Sequence, residues 1–387
     1  MLQRYAPAAA AFPRTRRPPL ELYLQSLDVS RVGAAKTDDV KKMSELETLS
    51  AGGGMATEGK PVNLAIVGAG PCGLAAASAA RVGGVSATVF DRGFITDSLI
   101  HYPPYMTFFS TAEKLEIEDV PFILASGKPT RRDALVYYRR VVRHFALDVR
   151  QHEEVTAIEG RRGDFVLRTR RRDGTRAGHR ARAVVVATGG FHEPNYLDVP
   201  GEDLPKVHHY YREPDPYYDQ DVLVVGGRNS AVEAALELFR AHARVTLVHI
   251  FDGIDDGVKP WVVPDITNRI KFGEIATHFT TRVAEIRQRS VVLEHLETGV
   301  TTELANDWVF AMTGWRASPL LLESVGVRID EQTGIPSHDR ATMETNTPGI
   351  YIAGVLAAGH DANKIFIENG RFHGGLIVDH FKATRDG

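Results

Sequence analysis

The sequence predicts an α/β chain with two Rossmann-like dinucleotide-binding domains of the three-layer ββα type, the second inserted into a split first domain. Three observations carry this reading. A glycine turn, GAGPCG, follows an apolar strand at Gly68–Gly73; a second turn, GGRNS, does so at Gly226–Ser230; and TPGIYIAGVLAAGH, with Gly354, returns a strand to the first sheet. The expected boundaries are 61–203 for the first part of the first domain, 204–311 for the inserted domain and 312–387 for the remainder of the first.

Residues 1–60 precede these units. MLQRYAPAAAAFPRTRRPPLE is rich in Ala, Pro and Arg, and SAGGGMATEGK is a glycine-rich linker, so this stretch reads as a disordered or over-extended N-terminal extension, with Met55 as an alternative start. The rest of the composition narrows the function classes. With 387 residues, 25% charged side chains and a formal charge of -3, the chain lacks the basic balance that nucleic-acid binding needs. Small-molecule partners are expected instead. One cysteine excludes an intramolecular disulfide and a cysteine-rich zinc cluster, which suits a reducing cytoplasm. No apolar run approaches the ~18 residues of a spanning helix. A homo-oligomer is expected, without membrane attachment.

The first βαβ unit runs through PVNLAIVGAGPCGLAAASAARVGGVSATVFDRG, with a strand over Val62–Val67, a helix from about Pro71 and a second strand ending at Phe90 and Asp91. Gly68 permits the tight turn, Ala69 lies within it, Gly70 lets a pyrophosphate approach the backbone, and Gly73 lets the helix pack closely. Pro71 at the helix start sacrifices no hydrogen bond, and the helix N-terminus offers free N–H groups to phosphates. Asp91 is placed to accept hydrogen bonds from a ribose.

The second unit is YDQDVLVVGGRNSAVEAALELFRAHARVTLVHIF, with strands over Val222–Val225 and Val245–His249 and a turn of Gly226, Gly227, Arg228, Asn229 and Ser230. Arg228 replaces the second glycine of the fingerprint; it either clamps a phosphate or points outward over a wider turn. His249 stands where an acid would meet a ribose, so a 2′-phosphate is tolerated and NADPH is preferred, with NADH not excluded. An acid-ended first site and an acid-free second one describe a flavoprotein binding FAD first and NADPH second. RARAVVVATGGF, around Ala187, Thr188 and Gly189, and DWVFAMTGW, around Thr313 and Gly314, are buried strands that run into glycine turns after each unit. Val155 is assigned to the cofactor set with Thr188 and Gly189.

Cys72 sits inside the first turn. The helix N-terminus favours its thiolate, whereas a neighbouring pyrophosphate opposes it, and a packing role that alanine would fill as well is the alternative. His208 and His209 lack further ligands at metal spacing and read as a hinge, so no metal is expected. His101 and Tyr102 fall where this fold brings residues near a flavin, and Lys259 and Trp261 in VKPW line the nucleotide or substrate cleft. The arginine-rich RTRRRDGTRAGHRARA reads as a hairpin turning at Asp173 and Gly174, its charges a solvated edge.

With these motifs assembled, the chain resembles the thioredoxin-reductase type of flavoprotein and, within it, the bacillithiol disulfide reductase family. The matching stretches are GAGPCGLAAA, HYPPYMTFFSTAEKLEI, KPTRRDALVYYRRV, PNYLDVPGEDLPKVHHYY, VVGGRNSAVEAALEL, VKPWVVPDI and IFIENGRFHGG. The resemblance implies passage of electrons from NADPH through FAD to a low-molecular-weight disulfide, with Cys72 as the candidate redox residue. Departures are informative. HHYYREP stands where thioredoxin reductases carry Cys-x-x-Cys, Ile250 and Phe251 stand where many NADPH-specific members carry a basic pair, and Val355 stands where an Asp often follows the C-terminal AG. Two other readings share the two-domain plan. A flavin monooxygenase is disfavoured because Leu204 precedes His208 where that class has glycine, and a flavin-bound redox sensor would show turnover that no disulfide accelerates.

Overall fold

The computed structural model describes residues 60–361 and 364–385. Apart from Lys60, the expected N-terminal extension lies outside the described residues. The first unit folds as β1 (Val62–Val67), α1 (Pro71–Val82) and β2 (Ala87–Asp91), with β1 and β2 parallel. The alanine-rich α1 is buried along nearly its whole length. Small side chains there allow close approach on two sides, and this approach positions the site. A Cβ added to Gly374 of the C-terminal helix would lie 2.6 Å from the Cα of Ala76.

Next come α2 (Arg131–His144), started by a capping box between Thr130 and Asp133, then β3 (Asp148–Gln151), β4 (Glu153–Arg161), β5 (Asp164–Arg171) and β6 (Arg176–Val186). The strands form one sheet in the order β3-β2-β1-β6-β5-β4. The basic hairpin turns at residues 172–175, where the N–H of Arg171 donates to the carbonyl of Thr175. Its arginines are spent on carboxylates of neighbouring strands: Arg168 on Glu159, Arg170 on Glu154 and Arg180 on Asp164.

The chain then leaves through β7 (Glu193–Pro194) and β8 (Val207–His208) into β9 (Asp221–Val225), α3 (Asn229–Arg240), β10 (Arg244–Val248), α4 (Val263–Lys271) and β11 (Ala276–His278). A meander of β12 (Thr281–Ile286), β13 (Ser290–His295) and β14 (Thr301–Ala305) follows, then β15 (Trp308–Ala311) and β16 (Trp315–Arg316). The second parallel sheet has the order β11-β10-β9-β15-β8. Its two faces divide the apolar residues of β9 between them. Val222 and Val224 join Ala231, Val232 and Ala235 of α3 in one core, while Leu223 and Val225 meet Val283, Ile286, Val291 and Leu293 of the meander in another. Parallel strands covered on both faces are apolar at successive positions, and this sandwich is the expected ββα layering.

The antiparallel pair of β7 and β16 marks where the chain crosses out and back. After α5 (Leu320–Glu323), β17 (Ile350–Ile352) returns to the first sheet and pairs in parallel with Val184–Val186 of β6. Single-turn α6 (Ile367–Gly370) and α7 (His373–Thr384) close the chain. Among the described residues, no helix is long and apolar enough to cross a membrane.

Several expected positions shift by a residue or two. Asn229 and Ser230 are the first residues of α3 rather than turn residues, and His249 lies one past β10. Ala187, Thr188 and Gly189 follow β6, which ends at Val186. Each shift comes from where the backbone pairing stops, which apolar content does not mark.

Candidate active site

The first glycine turn lies at the C-terminal ends of β1 and β2, where ligands bind in open parallel sheets. Gly68 has φ 110, and a Cβ on it would lie 2.3 Å from the carbonyl oxygen of Ala187. A Cβ on Gly73 would lie 1.9 Å from the carbonyl oxygen of Gly68, so the third glycine seats α1 on the turn itself. Gly70 differs: nothing stands within 4 Å of the Cβ position, which leaves its face open for a phosphate group. Pro71 opens α1 as expected.

Asp91 braces this cradle. Its Oδ2 accepts from the N–H of Ala69 at 2.6 Å and its Oδ1 from the N–H of Gly93 at 2.8 Å. Burial pushes its carboxyl up, and the two backbone N–H groups hold it down. Each oxygen still has lone-pair capacity for a ribose hydroxyl. In Asp91→Asn, an amide N–H2 must face one of the two backbone donors. The dissociation constant for FAD, measured by flavin fluorescence, is expected to rise about 10- to 30-fold, equivalent to ~1.5–2 kcal/mol.

Cys72, the second residue of α1, reaches Gly354 and Gly370. A Cβ on Gly354 would lie 3.0 Å from its Sγ and one on Gly370 would lie 2.9 Å away. Both glycines make room for the sulfur. Burial pushes the thiol up to about 12, so it is protonated at neutral pH in this state. The N–H of Gly354 donates to Nδ1 of His373 at 3.2 Å, and burial lowers that imidazole to about 4, which keeps the acceptor neutral. His373 was visible only as part of ENGRFHGG; its partner on a distant strand end gave no signal in the sequence.

The second turn repeats the plan with different support. Gly226 has φ 134, and a Cβ there would lie 2.5 Å from the carbonyl oxygen of Met312. The ring of His249 lies against Gly227, where a Cβ would meet its Cδ2 at 2.4 Å. His249 is buried, its pKa is lowered by that burial, and its Nε2 has no hydrogen-bond partner among the described residues. Arg228 donates from Nε to Asp255 at 3.1 Å and is largely exposed, which leaves its other donors for a ligand. The side chain of Asn229 is committed elsewhere: its Nδ2 donates to the carbonyl of Gly257, and its Oδ1 accepts from the N–H of Lys259 at 2.9 Å. It ties the turn to the VKPW loop.

Asp91, Thr188 and Gly354 thus stand against the first turn, which contains Ala69, with Gly189 next in sequence to Thr188, and His249 and Lys259 stand against the second. His101 ends a short segment tied to the turn by the hydrogen bond from the N–H of Thr96 to the carbonyl of Ala69, and the strand carrying Val155 is tied to the Asp91 loop by the N–H of His152, which donates to the carbonyl of Gly93. Val155 lies on β4 beside its bulge. His101 faces Asp97, His192 and Tyr210, and one ligand atom from each of Asp97, His101 and His192 lies within 4.8 Å of the others. His192, lowered to about 4 by burial, was not singled out in the sequence. The hinge residues are structural in character. His208 stacks on Trp308 at 5.5 Å, and Nε2 of His209 lies 3.6 Å from Glu202.

The open face at Gly70 and the orphaned Nε2 of His249 fit two dinucleotides. Comparison with known proteins agrees. The pyridine nucleotide-disulphide oxidoreductase family matches residues 65–354. The bacilliredoxin reductase Bdr of Bacillus subtilis (strain 168) is 45% identical over 81% of this chain and 95% of its own length. The bacillithiol disulfide reductase Bdr of Bacillus cereus superposes with a TM-score of 0.81 at 44% identity, covering 84% of this chain and 99% of its own. Its Staphylococcus aureus counterpart has a TM-score of 0.79 at 41% identity, covering 84% and 100%. A flavin and a pyridine nucleotide, FAD and NAD(P)H, are the cofactors of this enzyme family. The chain therefore belongs to the pyridine nucleotide-disulphide oxidoreductases and, within them, to the bacillithiol disulfide reductase family.

Proposed function

We propose that this chain uses NADPH to reduce a low-molecular-weight disulfide of the bacillithiol disulfide class, with Cys72 as the thiol that engages it. The position of that thiol carries the reading: it stands on the first nucleotide turn, against Gly354 and Gly370, in a chain with no second cysteine. Bound FAD and NADPH supply the two-electron chemistry, and the reaction balances as NADPH + H⁺ + RSSR → NADP⁺ + 2 RSH.

The chain's own groups have defined tasks. Gly70 and the N-terminus of α1 hold the FAD pyrophosphate, and Asp91 holds its ribose. At the second turn, a neutral, buried His249 in place of an acid leaves room for a 2′-phosphate, and the free donors of Arg228 supply positive charge. Sγ of Cys72, once deprotonated, attacks one substrate sulfur, the S–S bond breaks, and the first thiol leaves with a proton. The mixed disulfide then accepts the electron pair originating in NADPH, takes up a proton and frees the second thiol.

Anaerobic reduction of the holoenzyme by NADPH, followed by addition of bacillithiol disulfide, tests the function directly. Rapid return of the oxidised flavin spectrum is expected; reoxidation by oxygen alone, with no response to disulfide, would overturn it. Arg228→Ala tests coenzyme choice. Its KM for NADPH is expected to rise about tenfold while that for NADH stays within twofold, since one charged phosphate contact is worth ~1.5 kcal/mol.

A further inference from the structure

Five side chains from three separate stretches meet where the two nucleotide units touch, and none is part of either glycine turn. Phe109 and Lys128 come from the segment between β2 and α2, Lys259 and Trp261 from the loop ahead of α4, and Phe366 from the residue that precedes α6. The ring of Phe109 lies 5.9 Å from that of Trp261. The ammonium of Lys128 stands 5.1 Å over Trp261, and that of Lys259 stands 5.2 Å over Phe109 and 5.9 Å from Phe366.

Two physical facts need an explanation. The three rings are 42%, 59% and 45% exposed for Phe109, Trp261 and Phe366, which is apolar surface left in water at one spot. The two ammonium groups resting on them make no ion pair among the described residues. Nearby acids are otherwise engaged. Glu237 accepts from the hydroxyl of Tyr105 at 2.6 Å, and Glu368 accepts from Ser110 at 2.9 Å with Lys114 at 3.9 Å. Glu233, which faces Lys259, is pushed up to about 7 by burial and by Glu237. Lysines held over aromatic faces retain positive charge for an incoming anion, and the rings offer it a flat apolar bed.

The rim also lies close to the thiol. Phe366 and Gly370 bracket α6, joined by the hydrogen bond from the N–H of Gly370 to the carbonyl of Phe366, and Gly370 is the glycine against Sγ of Cys72. One helical turn, ~5.4 Å of rise, separates the two. We propose that Lys128 and Lys259, with Phe109, Trp261 and Phe366, form the acceptor subsite, and that it selects a small disulfide bearing carboxylates. This rests on the reductase reading above and specifies its substrate class. Because the rim draws on both nucleotide units, it exists only while they are held together as seen here.

The test compares a carboxylate-bearing disulfide with a neutral one on the NADPH-reduced holoenzyme, using bacillithiol disulfide or oxidised glutathione against 2-hydroxyethyl disulfide. The readout is the ratio of the two kcat/KM values. In Lys128→Gln this ratio is expected to fall about fivefold or more, in Lys128→Arg to stay near the native value, and in Lys271→Gln, a lysine at the end of α4, to remain unchanged. Raising salt from about 0.05 to 0.5 M should lower kcat/KM for the anionic disulfide and leave the neutral one nearly constant. Titration calorimetry with oxidised glutathione on the oxidised holoenzyme gives the same comparison without turnover. A ratio unmoved by Lys128→Gln and by salt, with both disulfides still reduced, overturns the subsite and leaves the reductase standing. Turnover with a disulfide-bearing protein but no small disulfide also overturns it. Failure of every disulfide to reoxidise the enzyme defeats the reductase reading itself.

Discussion

Cys72→Ala is expected to accept electrons from NADPH at a rate within about twofold of the native protein and to lose more than ~100-fold in reoxidation by disulfide, because the attacking sulfur is gone. Stopped-flow absorbance of the flavin separates the two half-reactions. A reoxidation rate equal to that of the native protein would sink the thiol relay while leaving NADPH oxidation by disulfide intact. The pH dependence provides a second check with a definite sign. A thiol pushed up to about 12 by burial is a thiolate to only about one part in 10⁵ at pH 7. A relay starting from this state should quicken about tenfold per pH unit between pH 7 and 9, since the thiolate fraction grows by that factor well below the pKa. A flat profile over that range means that substrate or cofactor binding has already deprotonated the sulfur.

Gly73→Ala is expected to abolish the holoprotein. Its new methyl would lie 1.9 Å from the carbonyl oxygen of Gly68 and 3.4 Å from the Cβ of Ala187, and the first obstacle is backbone. Relief requires α1 to lift off the turn, which breaks both the nucleotide cradle and the packing of Ala76 against Gly374. A loss of more than ~3 kcal/mol follows from overpacking at a fully buried backbone contact. Purified protein should be colourless, with thermal unfolding lowered by more than ~6 °C and no response to added FAD. By contrast, Gly70→Ala meets no atom within 4 Å, so its folded stability should be near native and its defect confined to FAD affinity.

Much of this architecture was legible because its signals are local. A strand, a glycine turn and a helix are contiguous, so the βαβ units and the tight turn at Gly68 could be read directly from spacing. The return of Ile350–Ile352 to the first sheet was legible from an apolar run flanked by glycines. What the sequence hid depends on distant partners. Nothing local announces that Gly370 and Gly354 must stay small because Cys72 lies between them, or that Asn229 braces Lys259. The same holds for His249. Its identity marked the missing acid, but only the fold shows its ring under Gly227 with an orphaned nitrogen. The arginine-rich hairpin was read as charge, and its pairing with Glu154, Glu159 and Asp164 became visible only once strand register was set.

The two-sided pairing of β6 has a consequence for how the protein is made. One edge of its last residues is claimed early by β1, whereas the other edge waits for β17, which the ribosome delivers only after the whole inserted unit has been synthesised. During that interval Val184–Val186 present an unpaired apolar edge, and Cys72 has neither Gly354 nor Gly370 to cover it. The nascent chain therefore carries an open sheet and a thiol that the finished protein leaves only partly exposed. Thiol-reactive probes should label stalled chains ending before Ile350 far faster than full-length protein, making this one cysteine a built-in reporter of whether the C-terminal segment has arrived.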